Sequence, residues 1–246
     1  MDVYWLEQTE ADLPPENDWL SAAEATLLKG MRFAKRRDDW RLGRWTAKHA
    51  LSSFWNTPAS PPALAKIEIC PAPTGAPEVL LSDSPAAVSI SLSHRAGRAM
   101  CAVSLAGGAL GCDLEIIEPR SEAFVADYFV SEERELVASA REPERFQLLA
   151  LLWSGKESAL KALRTGLRLD TRSVVVMPME GPFNVNGWSP LQVRCSEGRV
   201  FHGWWQRANN VVRTLVADPA PQPPIQLEVG AYFPQSSSRY ALGTGD

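Results

Sequence analysis

Two short segments hold residue types that could do chemistry. The first is Gly111-Cys112-Asp113-Leu114-Glu115. In a strand, alternate side chains share a face, so Asp113 and Glu115 stand together about 6–7 Å apart while Cys112, Leu114 and Ile116 take the other side. Two such carboxylates can share a hard cation, directly or through its waters. Taken alone, the pattern is also that of an amphipathic strand with a solvated acidic face. The second segment is Trp153-Ser154-Gly155-Lys156-Glu157-Ser158-Ala159-Leu160-Lys161. At about 100° per residue, Phe146, Ala150, Trp153 and Leu160 form one stripe, with Glu157 near its centre and Lys161 about 40° from the middle. A carboxylate aimed inward from an apolar stripe needs a cation, a proton or a partner. A buried Glu157–Lys161 ion pair at i, i+4 is the plain alternative. Three carboxylates and a lysine suit Mg2+ and a diphosphate, because Mg2+ takes few carboxylates and completes its shell with water and substrate phosphate oxygens.

A basic stretch lies upstream: Lys29, Arg32, Lys35, Arg36, Arg37, Arg41, Arg44 and Lys48, against Asp38 and Asp39. On a helix, Arg41, Arg44 and Lys48 share one side, beside an apolar face of Trp40, Ala47, Leu51 and Phe54. Such a face can hold phosphate groups or stay solvated. Ser91-Leu92-Ser93-His94 ends a strand pattern and could donate hydrogen bonds to phosphate. A serine nucleophile with a histidine base is disfavoured there, because adjacent strand residues point apart and G-x-S-x-G is missing. The chain also has no G-x-x-x-x-G-K-[ST] and no G-x-G-x-x-G placed after a strand.

The elements that must position these residues come from a chain of 246 residues, 45% hydrophobic and 22% charged, with net charge −4. That composition supports a packed core and excludes a wholesale nucleic-acid coat or polybasic membrane binder. One compact body, or two packed subdomains of about 100–120 residues, fits the length. No apolar run reaches the roughly 18–20 residues of a membrane span, and the start lacks a secretory pattern. Cys70, Cys101, Cys112 and Cys195 form no C-x-x-C pair, which suits a reducing compartment and sets cytoplasm as the expectation. Strand patterns lie at 2–6, 67–70, 88–92, 100–105 and 110–117, and later at 173–177, 191–195, 200–206 and 211–217. Ser21 and Glu24 read as a capping box opening a helix to about residue 31, and a second helix runs over about 38–54. Residues 56–63 and 71–77 read as loops. The pattern is helical after Pro119, with Ser131 as an N-cap, Pro143 opening a long helix and Gly166 closing it. Pro219–Pro224 reads as a linker before a flexible tail, and no internal repeat is apparent. Strands mixed irregularly with helices indicate α+β.

In their order, these segments resemble the Sfp-type 4′-phosphopantetheinyl transferases. The resemblance is carried by LGRWTAKHAL (42–51), Gly75-x-Pro77, SLSH (91–94), GCDLE (111–115) and WSGKESALKAL (153–163), the last two matching that family's G-x-D-x-E and W-x-x-K-E-x-x-x-K signatures. It spans roughly residues 1–218. It implies two similar α+β subdomains about a pseudo-twofold axis, here 1–108 and 109–218, followed by a linker and tail over 219–246. It implies coenzyme A as co-substrate in the cleft between them, and transfer of its 4′-phosphopantetheine arm to a serine of an acyl carrier protein or peptidyl carrier domain, releasing adenosine 3′,5′-bisphosphate. By similarity, Asp113, Glu115 and Glu157 hold Mg2+. Glu157 takes the serine proton, directly or through water, and Lys161 serves the departing phosphate. Arg44, Lys48, Ser93 and His94 bind the adenosine 3′-phosphate end, with Arg32, Lys35 and Arg36 as looser candidates. Lys156 is a phosphate contact or a structural partner. Ala76 departs from the family, some members of which carry lysine there. Phe124, Tyr128 and Phe129 stand as carrier-docking or core residues. A soluble monomer with no nucleic-acid or membrane partner is expected. The competing readings are a silent binder of coenzyme A or carrier and a Mg2+-dependent phosphoesterase.

Overall fold

The computed structural model describes residues 1–142, 144–165, 169–179, 187–196 and 198–229. Strand β1 (Tyr4–Thr9) leads to α1 (Ala22–Lys29), which starts at the capping box: Ser21 Oγ accepts from the Glu24 amide at 3.2 Å, and Glu24 accepts from the Ser21 amide at 3.0 Å. Helix α2 (Ala34–Phe54) begins ahead of Asp38, because the intervening lysine and arginines are good helix formers. Part of the expected 56–63 loop is a helical turn, α3 (Pro61–Leu64), with Pro61 at its first position. Strands β2 (Ile67–Pro71), β3 (Pro77–Leu81) and β4 (Ser84–Pro85) form a small sheet in that order. The hairpin of β5 (Val88–Arg95) and β6 (Arg98–Leu105) turns through Ala96 and Gly97, at φ 48° and 72°, as a two-residue turn with both centres left-handed requires.

The second half repeats the plan. Strand β7 (Ala109–Ile116) is followed by α4 (Glu122–Tyr128), α5 (Ser131–Ser139) and α6 (Glu144–Ala162). Ser131 is the first helical residue of α5, not its N-cap; Val130 holds that position, and Glu133 accepts from its amide at 3.1 Å. Pro143 and Gly166 lie outside the described residues, as does the tail from 230. Strands β8 (Val174–Pro178), β9 (Ser189–Cys195), β10 (Val200–Ala208) and β11 (Val211–Asp218) join β7 in the order β7-β11-β10-β9-β8. The first sheet runs β12-β1-β6-β5, where β12 (Ile225–Gln226) pairs parallel with β1. Residues 219–229 are therefore not a linker. They return to the first sheet, with Leu227 buried and its amide donating to the Trp5 carbonyl at 2.8 Å. The architecture is α+β, with α2 packed on β1, β5 and β6, and α6 on β7, β8 and β11. No helix among the described residues is long and apolar enough to cross a membrane.

One buried device marks the repeat. Lys48 on α2 is fully buried; its ammonium meets Glu24 at 2.5 Å and donates to the carbonyls of Trp19 (3.0 Å) and Leu64 (3.1 Å). Lys156 on α6 is equally buried; it meets Glu133 at 2.8 Å and donates to the carbonyls of Thr171 (3.0 Å) and Val174. Each glutamate is the third residue of a short helix and also accepts from a strand amide, Ile69 at 3.1 Å or Val176 at 2.9 Å. An aromatic ring lies 5.7 Å from each ammonium, Trp19 in one half and Phe129 in the other. The chain thus has an internal repeat after all, written as Trp45-x-x-Lys48 and Trp153-x-x-Lys156.

Candidate active site

The site grows where β5 runs beside β7. One edge of β7 is taken by β11. On the other, backbone amides find the serines of β5: Cys112 N–H donates to Ser91 Oγ at 2.9 Å, and Leu114 N–H to Ser93 Oγ at 3.3 Å. Ser93 in turn donates to Asp113 Oδ1 at 2.7 Å. Helix α6 lies directly on this strand, and Gly111 makes that possible: a Cβ there would fall 1.8 Å from the Ser158 carbonyl oxygen. Gly155 serves the same closeness from the helix side, where a Cβ would stand 2.8 Å from Val176. The glycines of both motifs are therefore packing residues.

This packing sets Lys161 over Asp113. Its ammonium donates to Asp113 Oδ1 at 2.8 Å and to the Cys112 carbonyl at 3.0 Å. Burial opposes that charge, but Asp113, Cys112 and Glu157 together hold the Lys161 pKa above the ordinary lysine value. Asp113 Oδ2 is left buried and without a hydrogen-bond partner. Glu157 is pushed above the ordinary carboxylate range by burial and then by Asp113, against the pull of Lys161. Glu115 is raised for the same two reasons, although Arg95 and Arg120 oppose the shift. Arg120 meets Glu115 Oε2 at 3.1 Å, Arg95 approaches it at 3.5 Å, and Trp153 Nε1 donates to Oε1 at 3.1 Å.

Asp113 lies close enough to raise both Glu115 and Glu157, yet no three His, Cys, Asp or Glu side chains among the described residues are gathered tightly enough to hold a metal. Lys161 stands on one carboxylate and the two arginines hold another. The donor chemistry nevertheless fits a hard divalent cation: carboxylate oxygens, one of them orphaned and buried, in a crowd of like charge that a cation would relieve.

A cleft of about 940 Å³ opens beside this cluster. From α2 come Lys35, Arg36, Trp40 and Arg44; from the 70–77 segment Cys70, Gly75 and Ala76; from β5 Ser93 and His94; and from the end of α6 Lys161 and Arg164. Arg44 faces it with its guanidinium 4.9 Å from the Trp40 ring centre and 3.7 Å from Glu24. Arg32 is not part of the lining.

Three sequence expectations change here. Lys48 does not reach a phosphate site, because all of its polar contacts are the buried ones of the first half's ion pair. Lys156 is a structural partner and not a phosphate contact, for the same reason in the second half. Ser93 is buried, and its proton goes to Asp113 instead of an external phosphate. The Glu157–Lys161 alternative also fails, since Lys161 pairs with Asp113. Phe129 is core, while Phe124 and Tyr128 pack on Trp153 with ring centres 5.1 Å away. Sequence reasoning missed Trp40 and Cys70, which carry no charge signal, and Arg164, which lies just past the end of the helix that carries Lys161.

Residues 109–203, which carry β7 and α6, match the model of the 4'-phosphopantetheinyl transferase superfamily. Over that stretch the chain is similar to this superfamily. The 4'-phosphopantetheinyl transferase HetI of Nostoc sp. is 26% identical over 180 residues, covering 71% of this chain and 73% of that protein. Among solved structures, the holo-[acyl-carrier-protein] synthase of Helicobacter pylori in complex with coenzyme A aligns at 20% identity and a TM-score of 0.34, over 42% of this chain and 99% of that one. The Bacillus anthracis holo-(acyl-carrier-protein) synthase in complex with CoA aligns at 21% identity and 0.36, over 42% and 94%.

Proposed function

We propose that this transferase moves the 4′-phosphopantetheine arm of coenzyme A to a serine of an acyl carrier protein or peptidyl carrier domain, with Mg2+, and releases adenosine 3′,5′-bisphosphate. The observation that carries the reading is the Asp113 carboxylate: Oδ1 is fixed by Ser93 and Lys161, Oδ2 is buried and orphaned, and both Ser93 and Lys161 line a cleft with cationic walls. Both halves of the fold lie in one chain, which supports the Sfp-type form acting as a monomer.

Asp113, Glu115 and Glu157 would hold the Mg2+. Bound there, the ion neutralises charge on the diphosphate oxygens. The chain's own groups do the rest. The carrier serine hydroxyl attacks the phosphorus that bears the pantetheine; its P–O bond forms as the bridge to the second phosphate breaks. Glu157 accepts the serine proton, directly or through an intervening water; its raised pKa brings it nearer the working range of a base. Lys161, held protonated by Asp113, meets the charge that collects on the departing phosphate. Arg36, Arg44 and His94 line the cleft where the nucleotide end would lie.

The test is intact-protein mass spectrometry of an apo carrier incubated with the protein, coenzyme A and Mg2+. One added phosphopantetheine, abolished by EDTA, is expected. Glu157→Gln should keep the thermal stability of the wild type and lose transfer by roughly 10²–10⁴-fold. Free phosphopantetheine with unmodified carrier would instead support a phosphoesterase. Binding of coenzyme A without either product would support a silent binder.

A further inference from the structure

We infer that Arg164 is a substrate-binding residue that grips the diphosphate of coenzyme A from the α6 side of the cleft. The inference rests on the transferase reading. Arg164 is exposed and lines the cleft beside Lys161. Three other cations there are compensated: Lys161 pairs with Asp113, Lys35 lies 3.9 Å from Asp39, and Arg44 lies 3.7 Å from Glu24. Among the described residues, the side chain of Arg164 has no ion-pair or hydrogen-bond partner.

Its backbone makes that choice costly. Arg164 sits just past the end of α6 at φ 57°, in the left-handed region where glycine serves best. Electrostatics gives a reason to keep a guanidinium there. The last carbonyls of a 19-residue helix present negative charge to this end of the cleft. With Lys161 already neutralised by Asp113, a phosphate approaching it would be repelled unless a second cation stood by. Arg164 is that cation, and its planar fork can take two phosphate oxygens at once. Arg36 lines the same cleft from α2, so an anion in it is met from both helices.

The test is calorimetric titration of Arg164→Gly, Arg164→Lys and the wild type with coenzyme A and with dephospho-coenzyme A, alongside thermal melting. Arg164→Gly should weaken both ligands by a similar factor of roughly ten while its Tm holds or rises, because glycine relieves the backbone. Arg164→Lys should recover part of the affinity. A Kd for Arg164→Gly within twofold of the wild type would show a merely solvated arginine and overturn the inference. A loss for coenzyme A alone would overturn the assignment to the diphosphate, since it would locate Arg164 at the 3′-phosphate. A wild type that binds neither ligand would overturn the transferase reading itself.

Discussion

Replacing Lys156 by methionine separates a phosphate contact from a structural pin. The ammonium has three protons, and its Glu133, Thr171 and Val174 contacts use all of them. Methionine keeps most of the apolar stem but leaves the Glu133 carboxylate buried with no opposing charge and takes the ammonium donor from the Thr171 and Val174 carbonyls. Removing one partner of a buried ion pair typically costs about 3–5 kcal/mol. For a chain of this size each kcal/mol moves Tm by roughly 2–4 °C, so a drop on the order of 6–20 °C is expected. The double variant Lys156→Met, Glu133→Leu removes both charges and should return much of that loss, since an apolar pair of similar volume is often as stable. Glu133 also caps α5 and accepts the Val176 amide, which keeps the return incomplete. The assay is urea unfolding followed by tryptophan fluorescence, with coenzyme A affinity measured where the variant is still folded. An unchanged unfolding midpoint, together with a tenfold weaker coenzyme A, would refute the structural assignment and restore Lys156 to the cofactor site.

Two further outcomes follow from buried groups. His49 has both ring nitrogens buried without partners, and burial, against a weak pull from Asp12, lowers its pKa to about 4. The unfolded chain takes up a proton near pH 6.5 and the folded chain only near 4, so stability falls as pH falls through that window, by at most about 3 kcal/mol from this residue; the urea midpoint of His49→Leu should decline less steeply than that of the wild type over the same window, and parallel profiles would remove His49 as the cause. Gly111→Ala drives a methyl into the Ser158 carbonyl, so α6 must lift from β7; a loss of about 3 kcal/mol or more and of transfer is expected, and a native Tm would show that the helix approach is looser than described.

Local signals were readable wherever the physics is local. Ser21 and Glu24 close a capping box within four residues. The acidic pair on β7 and the Glu157–Lys161 spacing on α6 stood in plain view for the same reason. The fates of the lysines were not readable. A single-stripe wheel assumes that a helix buries one side, whereas α6 packs against a sheet on one side and α5 on another, so Lys156 falls inside as surely as Leu160. Its partner is Glu133, whose position at the third residue of a short helix reads as capping alone. The Trp45-x-x-Lys48 and Trp153-x-x-Lys156 repeat was available by inspection, but only the shared ion pair shows that it means one structural role played twice. Ser93 was misassigned because hydrogen bonds across β5 and β7 depend on which strand edges meet, which no local pattern states.

The sheet order β7-β11-β10 has a consequence for how the protein is made. The strand that carries Asp113 and Glu115 is complete at Ile116, but its hydrogen-bonded neighbour in the sheet begins at Val211. A chain emerging from a ribosome therefore displays the acidic strand long before anything can pair with its open edge, and closing so long a loop is slow. In the interval, the serines of β5, already synthesised, can satisfy only the Cys112 and Leu114 amides on the opposite edge. The segment matched by the family model ends at residue 203, before β11 begins. Expressed by itself, that piece would hold Asp113 and Glu115 on a strand severed from its sheet, so the acidic cluster takes its final form among the last steps of assembly.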